Sequence, residues 1–155
     1  MIKPEPYIFD LTIENTKIIS WKECNTNNLI AKLSKPLTGS DYKIYVITKN
    51  NKVLYVGTTK SSIKSRLNSG LKASGKNGYH GYKWKDKKHL RIFIWNFNEL
   101  NKLQVENIEA ELAFVVRTRT GKWPELQNEI HFNNSYQEKG KELAEIMFNE
   151  IREHE

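Results

Sequence analysis

The stretch KIYVITKNNKVLYVGTTKSSIKSRL, residues 43–67, decides how the middle of the chain folds. Residues 43–48 and 53–57 are two short runs of β-branched and aromatic residues, which predict two strands. The polar residues 49–52 between them include asparagines that tolerate the positive φ of a tight turn. From Ser61 onward the apolar positions recur with helical spacing, and the serines there can cap a helix. The stretch therefore predicts a β-hairpin followed directly by a helix.

Three further segments complete the predicted core. Residues 90–97, LRIFIWNF, form a third β-prone run. Apolar residues recur at helical spacing over residues 99–116 and again over residues 140–155, which predicts two amphipathic helices. We therefore expect a small α/β (α+β) layer fold with a three-stranded antiparallel or mixed sheet flanked by helices.

The chain divides into three predicted parts. Residues 1–40 are expected to form an N-terminal arm packed on the main domain, residues 41–135 that domain, and residues 136–155 a C-terminal helix. Within the arm, residues 7–13 are apolar and β-prone, and residues 27–33 predict a short helix. A proline and a TGSD motif just before the main domain mark the boundary.

Basic residues are concentrated in one contiguous third of the chain. The 155 residues carry a net charge of +7. Between Asp41 and Trp95 there are 13 Lys and Arg against two acids, a local charge of +11, whereas the remaining residues sum to −4. A uniformly basic surface would favour solubility alone, but a block of this kind indicates nucleic-acid binding.

Other bulk features restrict the class of protein. A single cysteine excludes an internal disulfide and any multi-cysteine metal site. No apolar run approaches the roughly 20 residues of a membrane span, and the N-terminal residues lack the apolar core of a signal peptide. These features predict a cytoplasmic protein that does not cross a membrane.

The predicted hairpin carries two tyrosines and a glycine that could form a site. Tyr45 and Tyr55 lie on either side of the turn, so they can approach each other across the ladder. Strand tyrosines more often serve core packing. Gly57 ends the second strand, at a place where the backbone passes close to another group.

Charged residues on two predicted helices are the remaining candidates. Arg66 lies on the helix after the hairpin, where an arginine is usually solvated. Glu109 and Glu111 flank the apolar stripe of the long helix on opposite sides. A carboxylate there can reach a cleft formed with the sheet, although such residues more often form the polar rim of an amphipathic helix.

Taken together these residues resemble the GIY-YIG nuclease family. KIYVI at 43–47 and YVG at 55–57 resemble the two motifs that give the family its name, and Arg66 resembles its helix arginine. IEAELAF at 108–114 resembles its catalytic-glutamate helix, with Glu109 in register. WPELQN at 123–128 resembles its closing proline and asparagine, which assigns Asn128 a supporting role with Gly57.

The sequence departs from the family pattern in two informative places. Lys43 replaces the first glycine of the name motif, a position that supplies no reacting group. Gly70 stands four residues after Arg66, where many members carry His or Tyr, and Tyr79, His80 or Tyr82 could substitute from the following loop. The length of that loop makes the chain more similar to the restriction-endonuclease branch than to the repair-nuclease branch.

The resemblance implies metal-dependent hydrolysis of a DNA phosphodiester. Glu109 would bind one divalent metal, Mg²⁺ or Mn²⁺, with Glu111 as the alternative ligand. Arg66 would hold the phosphate and stabilise the negative charge of the transition state. Tyr45 would be the base, assisted by Tyr55 or His80.

The loop of residues 72–88 is expected to contact DNA. Its lysines would bind phosphates and its aromatic side chains would stack on bases, unless the aromatic side chains pack on the domain instead. The residues assigned to DNA binding are Lys72, Lys76, Tyr79, Tyr82, Lys83, Trp84 and Lys85.

Two functions remain open at this level. The first is a metal-dependent DNA endonuclease, possibly of the restriction type, which would need a homodimer or two sequential nicks to cut both strands. The second is a non-enzymatic nucleic-acid-binding module that keeps the fold. A module that only binds DNA has no need of Glu109, which favours the nuclease.

Overall fold

The computed structural model of the protein describes residues 4–155. The described residues form five strands, three α-helices and a short 3-10 turn at Lys76–Gly78. In chain order the elements are β1 Tyr7–Glu14, β2 Lys17–Glu23, β3 Tyr42–Lys49, β4 Lys52–Thr59, α1 Ile63–Lys72, β5 His89–Phe97, α2 Lys102–Thr120 and α3 Gln137–Glu153.

The five strands form one antiparallel sheet in the order β2-β1-β5-β3-β4. The prediction of three strands was therefore wrong. The chain before residue 24 contributes a hairpin, and β1 pairs with β5 from Tyr7 opposite Ile94 to Thr12 opposite His89. Alternate apolar residues of β1 enter the two cores, so burial as well as pairing holds this hairpin in the sheet.

Residues 27–33 do not form the predicted helix. The backbone of this segment turns back along β2 instead, where Ile30 donates to the carbonyl of Trp21 and Asn28 accepts from Glu23. These bonds satisfy groups that a helix would have paired internally. The division of the chain into three parts stays a prediction. The β1–β2 hairpin belongs to the same sheet as β3, β4 and β5.

Helices cover both faces of the sheet. α2 and α3 pack on the face that holds Ile44 and Val46, and α1 packs on the face that holds Tyr45 and Ile47. Neighbouring residues of β3 point to opposite faces, and both faces are buried. This explains the near-continuous apolar run of the hairpin.

A short segment after α2 closes part of the outer edge of β4. We call residues 124–127 the edge strap. Leu126 donates to the carbonyl of Leu54 at 2.8 Å, and the Gln127 side chain bonds both backbone groups of Val56. The bonds of the strap end at Val56, one residue before Gly57.

Lys43 fixes the start of β3 against the approach to α1. Its side chain is fully buried, and its ammonium group donates to the carbonyls of Gly39, Asp41 and Ser61 at 2.8, 2.7 and 3.2 Å. Burial lowers the pKa of Lys43, and Asp41 partly offsets this effect. The residue that replaces the glycine of the family motif therefore ties β3 to the segment that leads to Arg66.

Candidate active site

Tyr45 and Tyr55 lie side by side on the α1 face of the sheet. Both are buried, and their ring centroids are 5.8 Å apart. Tyr45 pairs with Gly57 in the β3–β4 ladder. A Cβ at position 57 would lie 2.8 Å from the Tyr45 hydroxyl oxygen and 2.6 Å from the Tyr55 ring. Gly57 is thus the residue type that lets both tyrosine side chains reach this point.

Arg66 extends from α1 over the same tyrosines. Its guanidinium carbon lies 5.0 Å from the ring centroid of Tyr82, and its Nη1 donates to the Tyr79 hydroxyl at 2.9 Å. Burial acts to lower the pKa of Arg66, but the neighbouring hydroxyls of Tyr45 and Tyr82 outweigh it and raise that pKa. Arg66 therefore keeps a positive charge beside the buried phenols.

Glu109 reaches the site from the opposite layer. It lies half-buried on α2, where Thr58 hydrogen-bonds its carboxyl group. Burial raises the pKa of Glu109 to about 7 and Glu106 adds to this, while Thr58 and Arg66 act to lower it. A carboxylate from one face and a guanidinium from the other thus lie close enough near the end of β4 for their charges to interact.

Glu111, the alternative ligand, points in another direction. It follows Glu109 by two residues, a rotation of about 200° around the axis of α2. The interactions with Thr58 and Arg66 belong to Glu109. The structure therefore favours Glu109 as the carboxylate of this site.

Tyr82 and Trp84 do not have the positions expected of base-stacking residues. Both are buried, and their rings stack at 4.3 Å with an interplanar angle of 18°. Trp84 also packs against Tyr55, with centroids 6.3 Å apart. The assignment of these two side chains to DNA contact is corrected accordingly, because their rings complete the core under α1.

The hydroxyl of Tyr82 lies 2.6 Å from the hydroxyl of Tyr45. Such a separation is at the short end for hydrogen bonds between hydroxyl groups. Besides DNA contact, the sequence offered Tyr82 as one of three loop residues that could replace a missing partner of Arg66. The structure brings this one into the site.

His80 does not join the tyrosine cluster. Its ring lies against Gly75, within the basic loop of residues 72–88, and the side chain is exposed. The proposed assistance from His80 is therefore replaced by the contact from Tyr82. Tyr79 remains at the surface, 43% exposed, where its hydroxyl accepts from Arg66.

The lysines of the basic loop differ in their surroundings. Lys72, Lys76 and Lys83 are exposed, and Lys83 donates to the carbonyl of Gln127 at 3.3 Å. Lys85 is half-buried and donates to the carbonyls of Ala73 and His80, both at 3.0 Å. Its ammonium group holds the loop together, which leaves the other three better placed for phosphate contacts.

The supporting amide comes from Gln127, whereas the sequence pointed to Asn128. The amide of Gln127 accepts from the Val56 N–H and donates to the Val56 carbonyl, both at 2.8 Å. Asn128 lies one residue further, where no comparable bond to β4 is found among the described residues.

The match to a family model agrees with this geometry. Residues 41–122, just over half of the chain, match the GIY-YIG catalytic domain, so the chain belongs to the GIY-YIG family. This is a family of nucleases that generally depend on a divalent metal, and a nuclease domain implies DNA as the substrate. Searches of curated proteins and of solved structures found no match. Within residues 4–155 no helix has the length and apolar character to cross a membrane.

The donor set at the site suits a hard cation. A single carboxylate, that of Glu109, is available beside Thr58, and a cation such as Mg²⁺ needs few protein ligands because it keeps several waters. Burial opposes the charge on Glu109, and a bound cation would compensate for it. In the described chain, groups of three metal-binding side chains are found only at Glu150, Glu153 and His154, at the end of α3.

Proposed function

We propose that the protein is a metal-dependent DNA endonuclease that hydrolyses phosphodiester bonds. The observation that carries this proposal is that Arg66 and Glu109, from opposite layers, lie close enough for the Arg66 charge to lower the pKa of Glu109 near the end of the edge strand β4. Tyr45 lies beside this point, since it pairs with Gly57 of β4 from the neighbouring strand β3. Packing of the core does not require a guanidinium and a carboxylate at this point. Hydrolysis of a phosphodiester with a metal uses both, the guanidinium for the phosphate and the carboxylate for the metal.

Arg66 is the candidate for binding the scissile phosphate. Its guanidinium can donate in a charge-assisted fork to two phosphate oxygens. Its partly buried position beside the tyrosines strengthens that attraction relative to water. The same contact stabilises the charge that develops on those oxygens in the transition state.

Tyr45 is the candidate for accepting a proton from the attacking water. Burial raises the pKa of Tyr45, Tyr82 and Tyr55 add to this, and Arg66 acts in the opposite direction. The hydroxyl is therefore protonated at neutral pH in the protein alone, and it serves as a base only in its ionised form. Tyr55 lies against the Tyr45 ring and is suited to hold it in place.

Glu109 is the candidate ligand for the divalent metal, Mg²⁺ or Mn²⁺. A bound cation would polarise the phosphoryl oxygen and stabilise the leaving oxygen. Thr58 holds the carboxyl group in place from β4, and Arg66 sets a compensating charge nearby. The bond to Thr58 directs Glu109 toward the end of β4.

The surface around the site is suited to DNA. Lys72, Lys76 and Lys83 supply exposed positive charge, and Tyr79 supplies an exposed ring beside Arg66. The length of the basic loop supports a restriction-type enzyme. A single site cuts one strand, so cleavage of both strands requires a homodimer or two sequential nicks.

Incubation of purified protein with plasmid and mixed genomic DNA tests the proposal. Cleavage is expected with Mg²⁺ or Mn²⁺ and not with a chelator. Glu109→Ala is the matched control, and it should bind DNA without cutting it. DNA binding without cleavage by the wild type under all metal conditions would instead indicate a non-enzymatic binding module.

A further inference from the structure

Gly70 has no side chain, and it lies on the buried side of α1. It lies four residues after Arg66, on the same side of the helix. A Cβ built at position 70 would overlap the Cε2 and Cδ2 atoms of Tyr82. Glycine inside a helix lowers stability relative to alanine, so its presence calls for a packing reason. The ring of Tyr82 is that reason.

The chain that delivers Tyr82 is fitted to the same point. Tyr82 donates its backbone N–H to the carbonyl of Gly70 at 3.1 Å. Gly81 has a φ of 74°, and a Cβ there would overlap the Gly70 carbonyl oxygen. Two glycines, one on α1 and one in the basic loop, thus allow the loop to seat directly on the helix. We call this arrangement the Gly70 socket.

The seated ring places its hydroxyl against Tyr45. Tyr82 packs edge-on to Tyr45 and Tyr55, with centroids 6.4 and 5.3 Å away, and its other neighbour is the stacked Trp84. Its hydroxyl is 2.6 Å from the Tyr45 hydroxyl and 3.4 Å from the Arg66 carbonyl oxygen. The Tyr45 hydroxyl is therefore held by a residue 37 positions away in sequence.

We propose that Tyr82 is a positioning residue for cleavage, seated in the Gly70 socket and holding the Tyr45 hydroxyl at the end of β4. This inference rests on the proposed nuclease function. The hydroxyl of Tyr82 contacts the Tyr45 hydroxyl and the Arg66 carbonyl, so Tyr82 acts through Tyr45. Because Tyr82 belongs to the basic loop, the segment that offers lysines to DNA also aligns the candidate base.

The socket is tested by a double-mutant cycle in thermal unfolding. Gly70→Ala raises helix propensity, so at an unoccupied position it would raise the melting temperature. We expect it to lower the melting temperature in the wild type, and to be neutral or stabilising in a Tyr82→Ala background. Ser69→Ala, at an exposed position of α1, is the matched control. An equal stabilising effect of Gly70→Ala in both backgrounds would overturn the socket.

The positioning role is tested by Tyr82→Phe, which keeps the ring and removes only the hydroxyl. We expect the melting temperature to stay within a few degrees of the wild type. The change misplaces the base without altering the DNA surface, so kcat should fall by roughly 10- to 100-fold while KM for DNA stays within about twofold. Tyr7→Phe, at an exposed position of β1, is the control for loss of a hydroxyl. A buried hydroxyl proton resonance in the NMR spectrum should be lost in Tyr45→Phe and in Tyr82→Phe alike.

The outcomes separate the two proposals. If the wild type cuts no DNA, the nuclease function fails, and the positioning role fails with it. If the wild type cuts and Glu109→Ala does not, while Tyr82→Phe retains wild-type kcat, the nuclease function stands and the inference about Tyr82 is overturned. A reduced kcat, together with disappearance of the shared NMR resonance, would support the inference.

Discussion

The side chain of Gln127 forms hydrogen bonds to both the N–H and the carbonyl of Val56, each at 2.8 Å. In this way an amide side chain takes the place of a neighbouring strand at the edge of the sheet. The residue after Val56 is Gly57, whose missing side chain makes room for Tyr45 and Tyr55. Gln127 thus ends the covered part of the β4 edge at the point where the candidate site begins.

Gln127→Ala is therefore expected to destabilise the protein by roughly 1–3 kcal/mol, because it leaves both backbone groups of Val56 without their partner. Denaturant unfolding would measure the change in unfolding free energy. Asn128→Ala is the matched control and should have little effect. The reverse result, with Asn128→Ala the more damaging change, would restore the assignment made from the sequence.

Glu109→Ala is expected to abolish cleavage while leaving DNA binding nearly intact, since a metal ligand acts mainly on the transition state. Plasmid cleavage and a binding titration at one salt concentration would measure the two effects. Glu111→Ala, on another face of α2, should cut at close to the wild-type rate. Loss of cleavage in Glu111→Ala alone would move the metal site to that residue.

The hairpin and its glycine were accessible from sequence because their signals are local. Tyr45 and Tyr55 are joined by a turn of few residues, so alternation and turn chemistry predict that they lie close together. The approach of Arg66 follows from a helix that begins directly after β4. In each case the deciding contacts span a short stretch of chain.

The contacts that sequence reasoning missed span longer stretches of chain or irregular loops. β1 pairs with β5 about 80 residues away, and Tyr82 meets Tyr45 37 positions away through a loop whose path has no periodic signal. An isolated β-prone segment does not reveal its partner strand, so the first 40 residues looked like an arm. In the sequence, Gly70 stands out only because many family members carry His or Tyr at this position. A glycine does not itself show which side chain packs against it.

Protonation of Glu109 is expected to make stability depend on pH. Burial raises its pKa from 4.5 to about 7, so between these values the folded chain holds a proton that the unfolded chain has released. Stability from this group is therefore highest below about pH 4.5 and falls as pH rises toward 7 and above. The full effect is up to about 3 kcal/mol, using 1.36 kcal/mol for each unit of pKa.

The measurement is the difference in unfolding free energy between the wild type and Glu109→Gln, followed across pH. The difference removes the contribution of other titrating groups. Adding Mg²⁺ at about pH 8 should stabilise the wild type and not the variant, because the ion binds only the folded, ionised site. A difference that does not change with pH would show that Glu109 titrates normally.

Exposed lysines of the basic loop are expected to set the salt dependence of DNA binding. A triple alanine variant should flatten the plot of log K against log salt by up to about 0.9 for each phosphate that is no longer neutralised. A control variant removes three exposed lysines elsewhere, and it should keep the wild-type slope. The loop variant carries changes at Lys72, Lys76 and Lys83, and the control at Lys17, Lys139 and Lys141. Equal slopes for both variants would show that the loop does not face DNA.

Lys43→Met is expected to destabilise the protein. Each carbonyl group that is left with neither a donor nor a water molecule costs roughly 1–3 kcal/mol, so the total depends on how many of the three carbonyls water can reach. Lys43 donates to three carbonyls, two before β3 and one just before α1, and the methionine side chain fills much the same volume without a donor. Lys60→Met is the matched control, because Lys60 is exposed and lies over the ring of Tyr42. Since Ser61 leads into the helix that carries Arg66, Lys43→Met should also lower the cleavage rate more than Lys60→Met does at a temperature where both variants are folded. Equal stability of the two variants would mean that the three carbonyls find other partners, and that Lys43 does not tie β3 to α1.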